Sequence, residues 1–267
     1  MLEEQDYFDI RSKMIDINAI LELEQQNLYL LAEALNQVAP EIKRDFDSAY
    51  ELLPFWINYP PLDRGRASSG TAIPWQEIGE TTIRPYLYQL LPQLYGEVRY
   101  PGLPSGADIR FMTPNAMIHL DIKLTGPNDH PNEVVASPNQ ISGDGDMWQN
   151  GAPANNPVLI TGQRRTMFFQ PELMPFYVFE GQVRLCLTFF LKVIYGVEQR
   201  GQQMLQKIDL AISPNGLLAF VGPNYNATYP GLFIPGKDIL GKPKKRVRVR
   251  LNHLKALHSW RLVSISF

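Results

Sequence analysis

Of 267 residues, 45% are hydrophobic, 11% aromatic and 19% charged, and 22 Pro and 19 Gly are scattered without a period. That excludes disordered, collagen-like and low-complexity classes. The net charge of −2 conceals an asymmetry: eight Lys/Arg against one Asp between Lys237 and Lys255 give that segment +7 and leave −9 for the rest.

The acidic start, Met1–Asp9, lacks the basic head of a secretory signal. The longest apolar runs, such as Leu185–Leu191, fall well short of the roughly 20 residues that span a bilayer. One cysteine, Cys186, excludes an internal disulfide and a multi-thiolate zinc site and suits a reducing compartment. A cytoplasmic protein with no membrane partner is expected.

The first 52 residues read as helical, with Ile17, Ile20, Leu21, Leu28, Leu31 and Leu35 near helical spacing. Pro40 is expected to end that run before a shorter helix around Ile42–Leu52. A Pro-punctuated aromatic loop, Pro54–Gly65, precedes a helix over Ile73–Leu94, with Pro74 in its first turn and Glu77 and Glu80 one turn apart. Pro85 is a potential kink. From Val98 the period changes to two: Asp108–Met112, a Thr113-Pro-Asn turn and Ala116–Leu124 read as an antiparallel pair. Asn128–Asn156 reads as a long polar loop, with strands after it at Phe176–Val178, Val183–Tyr195 and Lys207–Phe220, the last interrupted by Pro214-Asn-Gly216. A last pair, Lys245–Leu251 and Trp260–Phe267, is expected to close the chain. The expectation is one α/β domain over 1–267, a mixed sheet flanked by helices, with a helical segment over 1–52 and two further parts over 73–148 and 235–252.

Most catalytic templates are missing: there is no GxSxG elbow, no phosphate loop and no HExxH. His119, in an apolar strand, reads as a core or supporting residue, and Cys186 as a buried small hydrophobe. One constellation remains. Asp121-Ile-Lys123 puts a carboxylate and an ammonium on one strand face, opposite Ile118, Leu120, Ile122 and Leu124. Asp108, on the neighbouring strand, is placed to converge with Asp121, and Glu80 is available as a third oxygen ligand. Two carboxylates about 4 Å apart repel by roughly 4 kcal/mol at an effective dielectric near 20, so such a pair calls for a cation. An all-oxygen set including the carbonyl of Ile122 suits Mg²⁺. Taken alone, Asp-x-Lys is equally the pattern of a surface ion pair.

Lys244–Leu251 alternates Arg246, Arg248 and Arg250 with Val247, Val249 and Leu251. Arginines in a row on a packed strand can enter a major groove and bind guanine O6 and N7. Lys244 and Lys245 suit phosphates. The bland reading is a solvated charged strand. The Ser137–Asp146 loop, with Asn139 and Gln140, reads as a DNA contact or support for the metal site, or as a self-satisfied polar turn.

These stretches resemble the BglI-like type II restriction endonucleases of the PD-(D/E)xK superfamily. The resemblance runs from about residue 45 onward, through Pro54–Gly65, Ile73–Glu80, Leu103–Asp108, Asp121-Ile-Lys123, Ser137–Asp146, Pro235–Asp238 and Lys245–Val249. It implies a restriction-endonuclease core acting as a homodimer on double-stranded DNA, Mg²⁺ at Asp108 and Asp121, and Lys123 as the catalytic lysine. Glu80 falls on an acidic position used as an outer ligand, and Lys237, Arg246 and Arg248 on base-reading positions beside Asp238. The target implied is an interrupted GCC…GGC palindrome cut to leave 3′ overhangs, within a restriction system that has a cognate methyltransferase as genetic partner. Ile239 stands where the relative carries a second Asp, so a relaxed GC…GC half-site is the other form. A non-catalytic β-ribbon DNA-binding regulator and a structure-selective nuclease share parts of this pattern.

Overall fold

The computed structural model describes residues 2–52, 54, 75–102, 107–126, 129–198, 202–220, 229, 231–236 and 245–267, the side chains of 75–80 excepted. The aromatic loop over 55–65 and the recognition-loop residues 237–244 lie outside them.

Helix α1 spans Glu4–Met14 and α2 spans Ile17–Ser48. Asp16 sets the start of α2, its carboxylate accepting from the amides of Asn18 and Ala19. The break expected at Pro40 does not occur. Ala39, Ile42 and Phe46 continue the buried stripe of Leu28, Leu31 and Leu35. Burying each such large side chain contributes about 1.5–3 kcal/mol, which offsets the one backbone bond proline withholds. Helix α3, Trp75–Tyr95, tolerates Pro85 and Pro92 in the same way, with Ile83, Leu87 and Leu91 buried. No helix among the described residues is long and apolar enough to cross a membrane.

The strands follow in order: β1 Ile109–Met112, β2 Ala116–Thr125, β3 Glu133–Ala136, β4 Met147–Gln149, β5 Ala152–Ala154, β6 Val158–Thr161 and β7 Thr166–Phe169. Then come β8 Phe176–Phe179, β9 Gln182–Val197 and β10 Gln203–Ser213, the short helix α4 Gly216–Ala219, β11 Phe233–Pro235, β12 Val247–Arg250, helix α5 Leu251–Leu257 and β13 Leu262–Ser266. The main sheet runs β1-β2-β9-β10-β13, with β8 also on β9. Only its β2–β9 pairing is parallel, so the mixed sheet flanked by helices matches the expected α/β class.

Three expectations change. The Asn128–Asn156 segment is not an open loop: Val134 and Ala136 alternate into the core, making β3, and a turn and the β4–β5 hairpin follow. The strand expected over Lys207–Phe220 breaks at Pro214-Asn-Gly216 as expected but does not resume: Pro214 has no amide to donate, and Asn215 caps α4 through the amide of Leu217. The basic strand does not pair with the C-terminal one. Instead β12 sits between β11 and β3 in a separate sheet, while β13 joins β10.

Each face of the main sheet buries a different partner. Ile118, Leu120 and Ile122 of β2, with Leu187, Phe189 and Leu191 of β9, pack in the cluster that includes α2 and α3. On the other face, Phe190 and Ala211 pack against Val134, Ala136, Phe233, Val247 and Val249 of the smaller sheet. Asp121 is in register with Phe190, so the sheet carrying the arginines covers the face from which Asp121 and Lys123 emerge. A buried lysine ties the two together: Lys192, 1% exposed, donates to the carbonyls of His130, Pro131 and Glu133 at 2.7, 2.8 and 2.7 Å. At Gly216 backbones touch, since a Cβ there would lie 1.6 Å from the Gly143 carbonyl oxygen. Gly216→Ala is therefore expected to destabilise by more than about 3 kcal/mol, as overpacking against immovable backbone does. Urea unfolding measures it, and a loss below about 1 kcal/mol would refute the close approach.

Candidate active site and nucleic-acid interface

The β1–β2 hairpin fixes the first two groups. Its turn is closed by Thr113, whose amide donates to Ala116 O at 2.8 Å and whose hydroxyl accepts from Ala116 N at 3.0 Å. Pairing then runs from Met112 with Met117 to Ile109 with Leu120. Asp108 directly precedes Ile109 and Asp121 directly follows Leu120, so the two acids flank the last pair of this ladder. The Asp108 carboxylate turns inward: Oδ2 accepts from the amide of Ile122 at 2.7 Å and Oδ1 from Arg84 Nη2 at 3.1 Å.

Asp121 is 3% exposed. Its Oδ2 lies 2.5 Å from Lys123 Nζ, and its Oδ1 accepts from the side-chain amide of Gln140. The same Gln140 offers Oε1 to Lys123 Nζ at 3.4 Å and to the Ser137 amide at 2.9 Å. Asp121 and Lys123 are thus in contact, and Asp108 holds the amide of the residue between them. Glu80 lies on α3 one turn before Arg84, its side chain outside the described residues.

Two carboxylates balanced by Lys123 and Arg84 form a compact, neutral arrangement into which a hard cation fits. Among the described residues no cluster of three or more His, Cys, Asp or Glu gathers. The oxygen donors here are two carboxylates and the Ile122 carbonyl, which suits an ion that keeps waters and takes substrate phosphate, as Mg²⁺ does. Soft-metal and thiol chemistry do not fit. Cys186 is buried, with its thiol pushed up to about 12 by desolvation. His119, on the same face as Asp121, is 1% exposed and pushed down to about 4, by burial first and then by Arg110. It is neutral in the folded chain near pH 6, whereas an unfolded chain protonates it near 6.5. As pH falls from 6.5 to 4 the unfolded state gains a proton that the folded state refuses, so stability is lost by about 3 kcal/mol across that window. Urea unfolding of wild type and His119→Gln at pH 7 and 4.5 tests this: the variant should lose less on acidification, and parallel losses would refute it.

The smaller sheet presents its arginines as expected. Val247 and Val249 are buried, and Arg246, Arg248 and Arg250 are partly exposed. Leu251 is buried as expected but begins α5 instead of extending the strand. Arg248 Nη1 lies 2.9 Å from Glu133 Oε2 on the adjoining β3. Lys245 is exposed, and with Asn139, Phe168 and Gln170 it lines a cavity of about 490 Å³. Lys237, Asp238 and Lys244 lie outside the described residues; Gly236, just before them, is held by a hydrogen bond from Arg165 to its carbonyl. Gln140, expected at DNA or in support of the metal site, is 8% exposed and sits on Asp121, while its neighbour Asn139 faces the cavity. Sequence reasoning missed Arg84 and Glu133. Arg84 had a signal, being four residues after Glu80 on one predicted helix face; Glu133 had none before the pairing of β3 with β12 was known.

Comparison with known proteins gives one consistent answer. The family model described as restriction endonuclease BglI matches residues 3–265. The type II restriction enzyme BglI of Bacillus subtilis is 40% identical over 256 residues, 87% of this chain and 86% of that one. The crystal structure of the restriction endonuclease BglI bound to its DNA recognition sequence matches with TM-score 0.85 and 37% identity, over 97% of this chain and 95% of that one. Tetrameric SfiI bound to cognate DNA matches with TM-score 0.65 over 96% of this chain and 87% of that one; at 15% identity this is a likeness of fold.

Proposed function

Because the chain belongs to the BglI family of restriction endonucleases, we propose that this type II, site-specific deoxyribonuclease is a Mg²⁺-dependent homodimer that cuts an interrupted GC-rich palindrome. The half-sites are GCC and GGC, or GC pairs in the form that Ile239 relaxes, and cutting leaves 3′ overhangs. The observation that supports this reading is the Asp108 carboxylate on the amide of Ile122, the residue between Asp121 and Lys123, which are themselves paired. A twofold protein on a twofold site accounts for cleavage of both strands.

Asp108, Asp121 and the Ile122 carbonyl would hold the ion, with Glu80 as an outer ligand. When bound, the ion polarises a phosphate oxygen and acidifies a water. Lys123 holds a non-bridging phosphate oxygen and stabilises the negative charge that builds there. Water supplies oxygen to phosphorus and the bond from phosphorus to the 3′ oxygen breaks. One water proton leaves to solvent and the 3′ oxygen takes one up, giving a 5′-phosphate and a 3′-hydroxyl. Lys237, Asp238, Arg246, Arg248 and Arg250 read base edges, and Lys244, Lys245 and Asn139 hold the backbone.

Incubating the purified protein with plasmid and Mg²⁺, then sequencing the ends, tests the proposal. Discrete fragments whose ends share GC-rich half-sites and a 3′ stagger are expected; no cleavage with any divalent ion would refute it. Arg248→Ala should cost about 1–3 kcal/mol of binding and relax preference at one base pair. Lys245→Ala should weaken all sequences alike and lower the salt slope by about 1. Anisotropy titrations without Mg²⁺ on cognate and single-base-changed duplexes separate the two, and an equal loss on every duplex for Arg248→Ala would remove it from base reading.

A further inference from the structure

We propose that Gln140 is a positioning residue for the hydrolytic centre, carried by a segment continuous with the base-reading sheet; this rests on the nuclease reading above. The segment begins at β3, where Val135 pairs with Arg248 and Ala136 with Val247, and Glu133 holds the Arg248 guanidinium. Immediately after β3 the chain makes a rigid turn, Pro138–Gln140. Ser137 caps it through the Gln140 amide, and Gln140 caps it in return through the Ser137 amide. The turn is pinned from outside as well, the Glu172 amide donating to Pro138 O at 2.8 Å and the Leu173 amide to Ile141 O at 3.2 Å. Such a capping box leaves the glutamine little freedom, so its amide is delivered to Asp121 and Lys123 already oriented.

The residue type fits the task. Asp121 and Lys123 touch directly through Oδ2, 2.5 Å from Nζ, which leaves Oδ1 and the remaining ammonium protons to be oriented by a third group. A group that bridges them must donate to the carboxylate and accept from the ammonium while adding no charge. A primary amide does both, through NH₂ and carbonyl oxygen. Glutamate in its place would lose the donor and repel Asp121; methionine would fill the space and offer neither. Because the turn is the direct extension of β3, one short segment joins the strand paired with β12 to the side chain on Asp121.

Gln140→Met and Gln140→Glu, compared with wild type and Lys123→Ala, test the assignment. Four quantities are read: thermal midpoint, affinity for cognate duplex without metal, half-saturating Mg²⁺, and single-turnover cleavage. Cleavage by Gln140→Met should fall about 10–100-fold, the usual cost of losing a group that orients a metal ligand, with cognate affinity within about twofold of wild type. Its half-saturating Mg²⁺ should rise. In Gln140→Glu the added carboxylate should lower half-saturating Mg²⁺ while maximal cleavage still falls, a pairing that a merely structural role does not produce. Cleavage by Gln140→Met within about threefold of wild type, or a fall matched by an equal loss of DNA affinity, overturns the proposal. If one variant fails to fold, the other decides on the same readouts. Normal cutting by Lys123→Ala instead removes the placement of the hydrolytic centre at Asp121 and Lys123 beneath it, so the two failures are distinguishable.

Discussion

Replacing Lys123 with alanine lowers single-turnover cleavage of cognate DNA by about 10²–10³-fold, the usual cost of deleting one group aimed at transition-state charge. Its ammonium is 2.5 Å from Asp121 and is partly exposed, so it reaches both the ion-holding carboxylate and an incoming phosphate. The loss should fall on the rate and not on the affinity. Asp121→Asn gives the complementary result. Cleavage collapses, yet binding without metal tightens, because one negative charge leaves the seat of a polyanion. Rapid-quench assays with both variants, paired with anisotropy titrations, supply the numbers. If Lys123→Ala cut at the normal rate, the acid–acid-x-Lys set would be only an ion pair.

The largest effect on stability is expected at Glu24. Its Oε2 lies 2.6 Å from Arg261 Nη2 and its Oε1 accepts from the Asn215 amide at 2.6 Å, with both charged side chains 1% exposed or less. Arg261 also lies over the Trp260 ring, 4.6 Å from its centroid. This knot joins α2, the turn before α4 and the start of β13. Glu24→Ala strands a buried guanidinium and should cost about 3–5 kcal/mol. Removing both charges by Glu24→Leu with Arg261→Met should cost clearly less than the single change, because the penalty lies in the unpaired charge rather than in the missing bridge. Urea unfolding of the three proteins measures both, and a loss below about 1 kcal/mol for Glu24→Ala would show that water reaches the pair.

The centre was legible where its geometry is local. Alternation through Ile118, Leu120 and Ile122 gave the strand face, and the Thr113-Pro-Asn turn gave a register in which Asp108 and Asp121 flank the last pair. Legibility failed where long-range pairing decides. Nothing in Lys245–Leu251 says that its partners are Phe233–Pro235 and Glu133–Ala136 rather than the C-terminal strand. The four-residue alternation of β3 was hidden among Asn, Asp, Gly and Pro. Pro40 misled for the opposite reason: the local rule is correct, but packing of Ile42 and Phe46 overrides it. Gln140 was visible as a polar residue in a polar run; only the capping turn reveals where its amide points.

The hairpin that unites Asp108 with Asp121 also sets an order in time. Closing so short a loop has a small entropic cost, while β2 must wait for β9, whose Leu185 pairs with Ala116. During ribosomal synthesis the chain emerges N-terminus first, so Arg84, Asp108, Asp121, Lys123 and Gln140 are all released before Arg248 is translated. A nascent polypeptide therefore contains both strands of the hairpin and the Gln140 turn while β3 still lacks β12, its partner in the smaller sheet.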